Sequence, residues 1–98
     1  MTIDKNLEGT KLTLAVAGRL DTTTAPMLSE ELEASLDGVE ELALDFNDLD
    51  YISSAGLRVL LSAQKRMNKQ GRMYLTGVND AIMEVFEVTG FADILTIQ

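Results

Sequence analysis

Two adjacent serines, Ser53 and Ser54, stand where this chain changes its hydrophobic rhythm. The stretch Asp50-Tyr51-Ile52-Ser53-Ser54-Ala55-Gly56-Leu57-Arg58 turns helical after Gly56, because Leu57, Leu60 and Leu61 recur at i, i+3 and i+4. Serine is favoured at a helix start because its oxygen accepts an orphan backbone N–H. Anions are drawn to the same place, where free N–H groups and the positive end of the macrodipole point outward. Ser53 and Ser54 can therefore cap the helix or accept a phosphoryl group. Capping is the commoner use of such a serine, and the residues alone leave both uses open.

Other chemistry is poorly supplied. The chain has no His, so no Ser-His-Asp arrangement can be built within it. A Ser-Lys pair is out of reach, since Lys65 lies eleven residues beyond Ser54, about 16 Å along a helix at ~1.5 Å per residue. The surroundings of Ser54 are not G-x-S-x-G, and no Gly-rich phosphate loop occurs. Asp45, Asp48 and Asp50 do not have the spacing of a calcium loop, and no Glu follows at its twelfth position. Cysteine is absent, which removes disulfides and most zinc sites and suits a reducing compartment. The reading is a binding module with no catalytic residue, no cofactor and no metal.

Charge narrows the partner. Eight Lys and Arg face sixteen Asp and Glu, a net charge of −8, which argues against nucleic acid because phosphate neutralisation needs a basic face. Five of the eight basic residues, Arg58, Lys65, Arg66, Lys69 and Arg72, fall between positions 58 and 72. They place a basic patch on one helix of an acidic body, either a solvated face or a docking surface. The N-terminus lacks a positive cluster followed by an apolar stretch, and no apolar run approaches ~18 residues. A cytoplasmic protein without membrane insertion is expected.

The elements that must position the serines follow from periodicity. Ninety-eight residues form one domain, 1–98, long enough to bury ~65% of the surface its unfolded chain exposes. Lys11 to Gly18 alternates as a strand, and Thr2 to Glu8 is a weaker strand paired with it across Gly9-Thr10. Gly18 to Asp21 leaves the sheet. Thr22, Thr23 and Thr24 offer N-caps, Pro26 suits a first turn, Leu28, Leu32 and Leu36 mark a helical face, and Asp37-Gly38 ends it. Glu41 to Phe46 is a strand, Asn47 to Asp50 a turn, and the helix after it runs from the serines to about Lys69. Met73 to Thr76 forms another strand. Asn79 or Asp80 caps a third helix carrying Ile82, Val85, Phe86 and Thr89 on one face and closed by Gly90. Ile94 to Ile97 is a short last strand. The order β-β-α-β-α-β-α-β predicts an α/β fold, a mixed sheet with helices packed mainly on one face.

Three spaced motifs carry a resemblance. Tyr51-Ile52-Ser53-Ser54-Ala55-Gly56-Leu57 leads into the helix Arg58-Val59-Leu60-Leu61. Gly18-Arg19-Leu20-Asp21-Thr22-Thr23-Thr24-Ala25 is similar to a Gly-x-Leu-Asp turn, and Thr89-Gly90-Phe91 to a Ser/Thr-Gly-Leu ending. With these, in this order, the chain resembles the anti-sigma factor antagonists of the STAS domain family, a bacterial family of signal-transduction and transcription-regulating proteins. The resemblance covers the chain from the first strand to the last. It implies partner switching. An anti-sigma factor with serine-kinase activity phosphorylates the antagonist, the unmodified antagonist captures the anti-sigma factor and frees sigma, and a serine phosphatase resets the phosphoprotein.

The position that matches the acceptor is Ser54. Asp21 matches an acid the family places near the acceptor for partner binding; its plain reading is an Asx-turn cap of the Thr-rich loop. The partner-binding surface implied is Asp21, Thr22, Ser53, Ser54, Ala55, Gly56 and Arg58, on a chain that is a monomer when free. Two departures stand out. Many relatives have Asp immediately before the acceptor, where this chain has Ser53, so a second hydroxyl competes for the phosphate. Relatives usually continue past the last strand into a C-terminal helix, whereas this chain stops at Gln98, so one sheet face is expected to be less covered. The alternative reading is a partner-switching STAS component acting on a non-sigma signalling or transport complex.

Overall fold

The computed structural model describes residues 1–98 as one α/β layer pair. Strands β1 (Thr2–Glu8) and β2 (Lys11–Leu20) form an antiparallel hairpin, followed by α1 (Ala25–Ser35), β3 (Glu41–Asp45), β4 (Leu49–Ile52), α2 (Ser54–Gln70), β5 (Arg72–Thr76) and α3 (Asp80–Thr89). The sheet runs β1-β2-β3-β5, with β3 parallel to both β2 and β5, and β4 pairs in parallel with the end of β2. A mixed sheet of this kind arises because the tight turn at Gly9-Thr10 permits only antiparallel pairing, whereas each helical crossover returns the chain in parallel.

Alternation decides which face the helices cover. Leu12, Leu14 and Val16 of β2, Leu42 and Leu44 of β3, and Met73 and Leu75 of β5 are fully buried. In register they form rows across the strands (Leu12, Leu42, Met73, then Leu14, Leu44, Leu75). Onto these rows pack Leu28, Leu32 and Leu36 from the first helix and the turn after it, Leu57, Leu60, Ala63 and Met67 of α2, and Ile82 and Phe86 of α3. Each buried Leu contributes ~1.5–3 kcal/mol relative to exposure. On the opposite face Thr13, Ala15 and Ala17 stay half-exposed. There Glu41 collects Lys11 at 3.7 Å, Arg72 at 3.3 Å and the Tyr74 hydroxyl at 2.7 Å.

Four elements differ from the sequence expectation. Strand β2 does not leave the sheet at Gly18 but continues to Leu20, with a register shift between Gly18 and Arg19. Gly18 adopts φ +94°, a conformation that side chains oppose, and its N–H donates to the Asp48 carbonyl at 2.9 Å. The extra length of β2 gives a partner to the second half of the expected turn Asn47–Asp50 and the two residues after it, so Leu49–Ile52 form β4. Their burial runs buried-exposed-exposed-buried, which hides a strand from any test of alternation. At the other end, Ile94–Ile97 is not a strand. Phe91–Asp93 winds as a 3-10 turn and only Leu75 and Ile97 form a bridge, because the exposed Ile94 finds no neighbouring strand. Finally, Arg72 lies on β5 at the open face, so the basic patch of α2 is Arg58, Lys65, Arg66 and Lys69.

Candidate functional site

The ends of β2 and β4 bring the two strand-to-helix junctions together. Leu20 and Ile52 are register partners, and the Ser53 N–H donates to the Leu20 carbonyl at 2.9 Å. The loop that begins at Asp21 therefore adjoins the start of α2. Right-handed parallel crossovers predict this adjacency, but its closeness depends on β4, which the sequence did not reveal.

Asp21 organises its own loop. Its Oδ1 accepts from the Thr23 hydroxyl at 2.8 Å, the Thr23 N–H at 3.0 Å and the Thr24 N–H at 3.1 Å. Thr24 holds the N-cap position of α1 but makes no side-chain cap bond. Its hydroxyl donates to the Arg19 carbonyl at 2.7 Å and accepts from the Asp21 N–H at 2.8 Å. The threonines expected as caps thus serve Asp21, which is the acceptor of the turn. Donation by the Thr23 hydroxyl and then by the Thr24 N–H holds the Asp21 carboxyl below the usual carboxylate range. The second oxygen, Oδ2, faces Arg19 Nε at 3.8 Å, and the Arg19 guanidinium lies 4.1 Å from the Tyr51 ring centre.

The two serines have opposite surroundings. Ser53 is the N-cap of α2 in extended conformation (φ −101°, ψ 176°), yet its side chain makes no capping bond. Its Oγ is buried without a partner. Ser54 is the first helical residue and is exposed. Ala55 is half-buried and Arg58 exposed. Gly56 departs from the surface expected for it: it is buried, and a Cβ there would stand 2.8 Å from Leu20 Cγ and 2.9 Å from Ile52 Cγ1. Its smallness serves the seating of α2 on the strand ends, because any side chain would collide with the core.

Between the first turns of α1 and α2 lies an open hollow of about 350 Å³, lined by Thr22, Pro26, Ser29, Ala55, Arg58 and Val59. A second hollow of about 320 Å³ continues along the helix seam past Leu32, Val59 and Ser62 to Arg66. The structure thus brings Thr22, Ala55 and Arg58 onto one surface beside Ser54, with Asp21 at its edge and Ser53 and Gly56 turned inward. Sequence reasoning missed the straps that hold the helices side by side. Gln70 Nε2 donates to the Leu36 and Val39 carbonyls at 2.7 Å each, and Arg66 meets Asp37 at 2.6 Å. Such contacts span about thirty residues and leave no local signal. No group of three acidic side chains is placed to hold a metal ion, and no helix is long and apolar enough to cross a membrane.

Known proteins resemble this chain in sequence and in fold. The family model of the STAS domain matches residues 2–98. BtrV of Bordetella bronchiseptica is 38% identical over 99 residues, 99% of this chain and 84% of that protein. The anti-sigma-B factor antagonist of Listeria monocytogenes is 36% identical over 86 residues, 85% of this chain and 75% of that one. Among solved structures, the Bacillus anti-sigma factor antagonist SpoIIAA in its unphosphorylated form matches with a TM-score of 0.78 at 15% identity, over 99% of this chain and 87% of that one. At that identity the likeness is one of fold.

Proposed function

The chain belongs to the STAS domain family, and from that premise we propose that it is an anti-sigma factor antagonist switched by phosphorylation of Ser54. Unphosphorylated, it captures a serine-kinase anti-sigma factor; phosphorylated, it lets go until a serine phosphatase resets it. The observation that carries this reading is the difference between the two serines, one sealed and one exposed on the helix start beside the Asp21 loop.

In the modification, the Ser54 hydroxyl oxygen bonds to the γ-phosphorus of ATP, its proton is released and ADP leaves. The product brings about −1.5 to −2 charges and three acceptor oxygens to a helix N-terminus, where ~0.3–1 kcal/mol of dipole interaction tolerates them. The fold has no reason to change. A partner packed over the small, neutral surface of Ser54 and Ala55 meets a desolvated dianion instead, and a charge left buried and poorly paired costs about 2–5 kcal/mol of binding. That loss is a factor of thirty or more in affinity. Asp21 Oδ2, Thr22 and Arg58 complete the binding surface in this reading.

The test is phosphorylation by the cognate kinase with ATP, read by mass spectrometry. One phosphate is expected, on Ser54, and none on Ser54→Ala. Ser54→Asp is expected to bind the partner more weakly while melting at nearly the same temperature. Phosphate found on Ser53, or undiminished binding by the phosphorylated protein, would overturn the reading.

A further inference from the structure

Four of the eight lysines and arginines of this protein already have a counterpart. Lys11 and Arg72 share Glu41, Arg66 meets Asp37, and Arg19 lies between Tyr51 and Asp21. Arg58 has neither an acid nor a hydrogen-bond partner and is exposed. It stands four residues after Ser54 on the same face of α2, and at 3.6 residues per turn Ser54, Arg58, Lys65 and Lys69 fall within about 60° of arc. Helical side chains lean toward the N-terminus, so Arg58 covers the turn that holds Ser54. It lines the hollow with Thr22 and Ala55 and also the next one along the seam, which it shares with Glu33 and Arg66, without an ion pair to either hollow's residues. An anion N-terminal to a cation at i, i+4 is the favoured order of such a pair, and the first turn of α2 contains no acid to compete.

We infer that Arg58 is the internal counterion of a phosphate on Ser54, its guanidinium fork taking two phosphate oxygens. The inference rests on the reading of Ser54 as the acceptor. It makes the modification a double change of the surface. The phosphate adds a dianion, and Arg58, free to meet an acidic partner group in the unmodified protein, turns inward to pair with it. Of the other charged groups at this end, Asp21 opposes the phosphate, Arg19 is held by Tyr51 and Asp21, and Asp50 lies out on β4. Arg58 alone is available to balance it.

The experiment installs phosphoserine at position 54 during translation and titrates the purified full chain by phosphorus NMR. The parent is compared with Arg58→Gln, Arg58→Lys and the control Lys65→Gln, which removes an equal charge three turns along the same face. The second phosphate ionisation is expected to rise by about 0.3 unit or more in Arg58→Gln, the scale of one i, i+4 ion pair. Arg58→Lys should restore part of the shift, and Lys65→Gln should titrate like the parent. Agreement of Arg58→Gln with the parent to within about 0.1 unit, or an equal rise in Lys65→Gln, would overturn the inference. Because no kinase is involved, the result is separable from the acceptor assignment: a kinase that ignores Ser54 would sink the proposed function and leave the Arg58 pairing as measured.

Discussion

Ser53 and Ser54 are chemically identical neighbours, and one backbone turn separates a sealed hydroxyl from an exposed one. Ser53 occupies an N-cap, where a serine side chain ordinarily satisfies a backbone N–H and replacement by Ala costs about 1 kcal/mol. Here that bond is absent and the Oγ is buried without a partner, and an unmet buried polar group is itself unfavourable by ~1–3 kcal/mol. Ser53→Ala should therefore leave the urea midpoint unchanged or raise stability by up to ~1 kcal/mol. A loss of about 1 kcal/mol would show that the hydroxyl caps the helix after all.

The elements of the site are set by close contact between α2 and the strand ends. Gly56 lets the first turn of α2 sit on Leu20 and Ile52, with no room for a methyl group. Gly56→Ala is expected to destabilise by ~1–3 kcal/mol, the usual cost of overpacking, despite the better helix propensity of Ala. A denaturant series giving a stabilised variant would mean that α2 does not press on the strands as described. The same helix carries a competing candidate surface in Lys65 and Lys69, exposed and without ion pairs. Binding to the proposed anti-sigma partner should fall in Asp21→Asn, while a Lys65→Ala/Lys69→Ala variant should lose mainly association rate and salt dependence. Full binding by Asp21→Asn with loss in the lysine variant would move the interface away from the loop end.

Across the whole molecule, two carboxyls at opposite places tie stability to pH. Asp21 is held below the usual range chiefly by the Thr23 hydroxyl, and Glu41 chiefly by the Tyr74 hydroxyl and then by Arg72. In both cases the folded value lies below the unfolded one, so the unfolded state binds more protons in between and stability rises with pH there. The contribution is present above the ordinary carboxylate range and is lost as pH falls through the folded values. Asp21→Asn and Glu41→Gln should melt below the parent at neutral pH and approach it on acidification. A gap that stays constant down to strongly acidic pH would show that the ionised carboxylates are not what the fold stabilises.

Much of this architecture was legible because its signals are local. The alternation of Leu12, Leu14 and Val16, the 3.6-residue spacing of Leu57, Leu60 and Leu61, and the stop at Gly71 each lie within one element, and together they dictate an α/β layer pair with Ser53 and Ser54 at a helix start. The family motifs Tyr51–Leu57 and Gly18–Ala25 likewise sit within short runs. What the chain could not disclose depends on distant partners. Leu49–Ile52 is a strand only because β2 bulges at Gly18 and continues to Leu20. Asp21 meets the start of α2 only through that pairing, and Gln70 holds the turn after α1 across some thirty residues. An exposed Ser54 at the helix start was expected from the sequence and is found, but the sealing of its neighbour was a tertiary matter, since the packing of α2 against the ends of β2 and β4 decides that the Ser53 hydroxyl is buried.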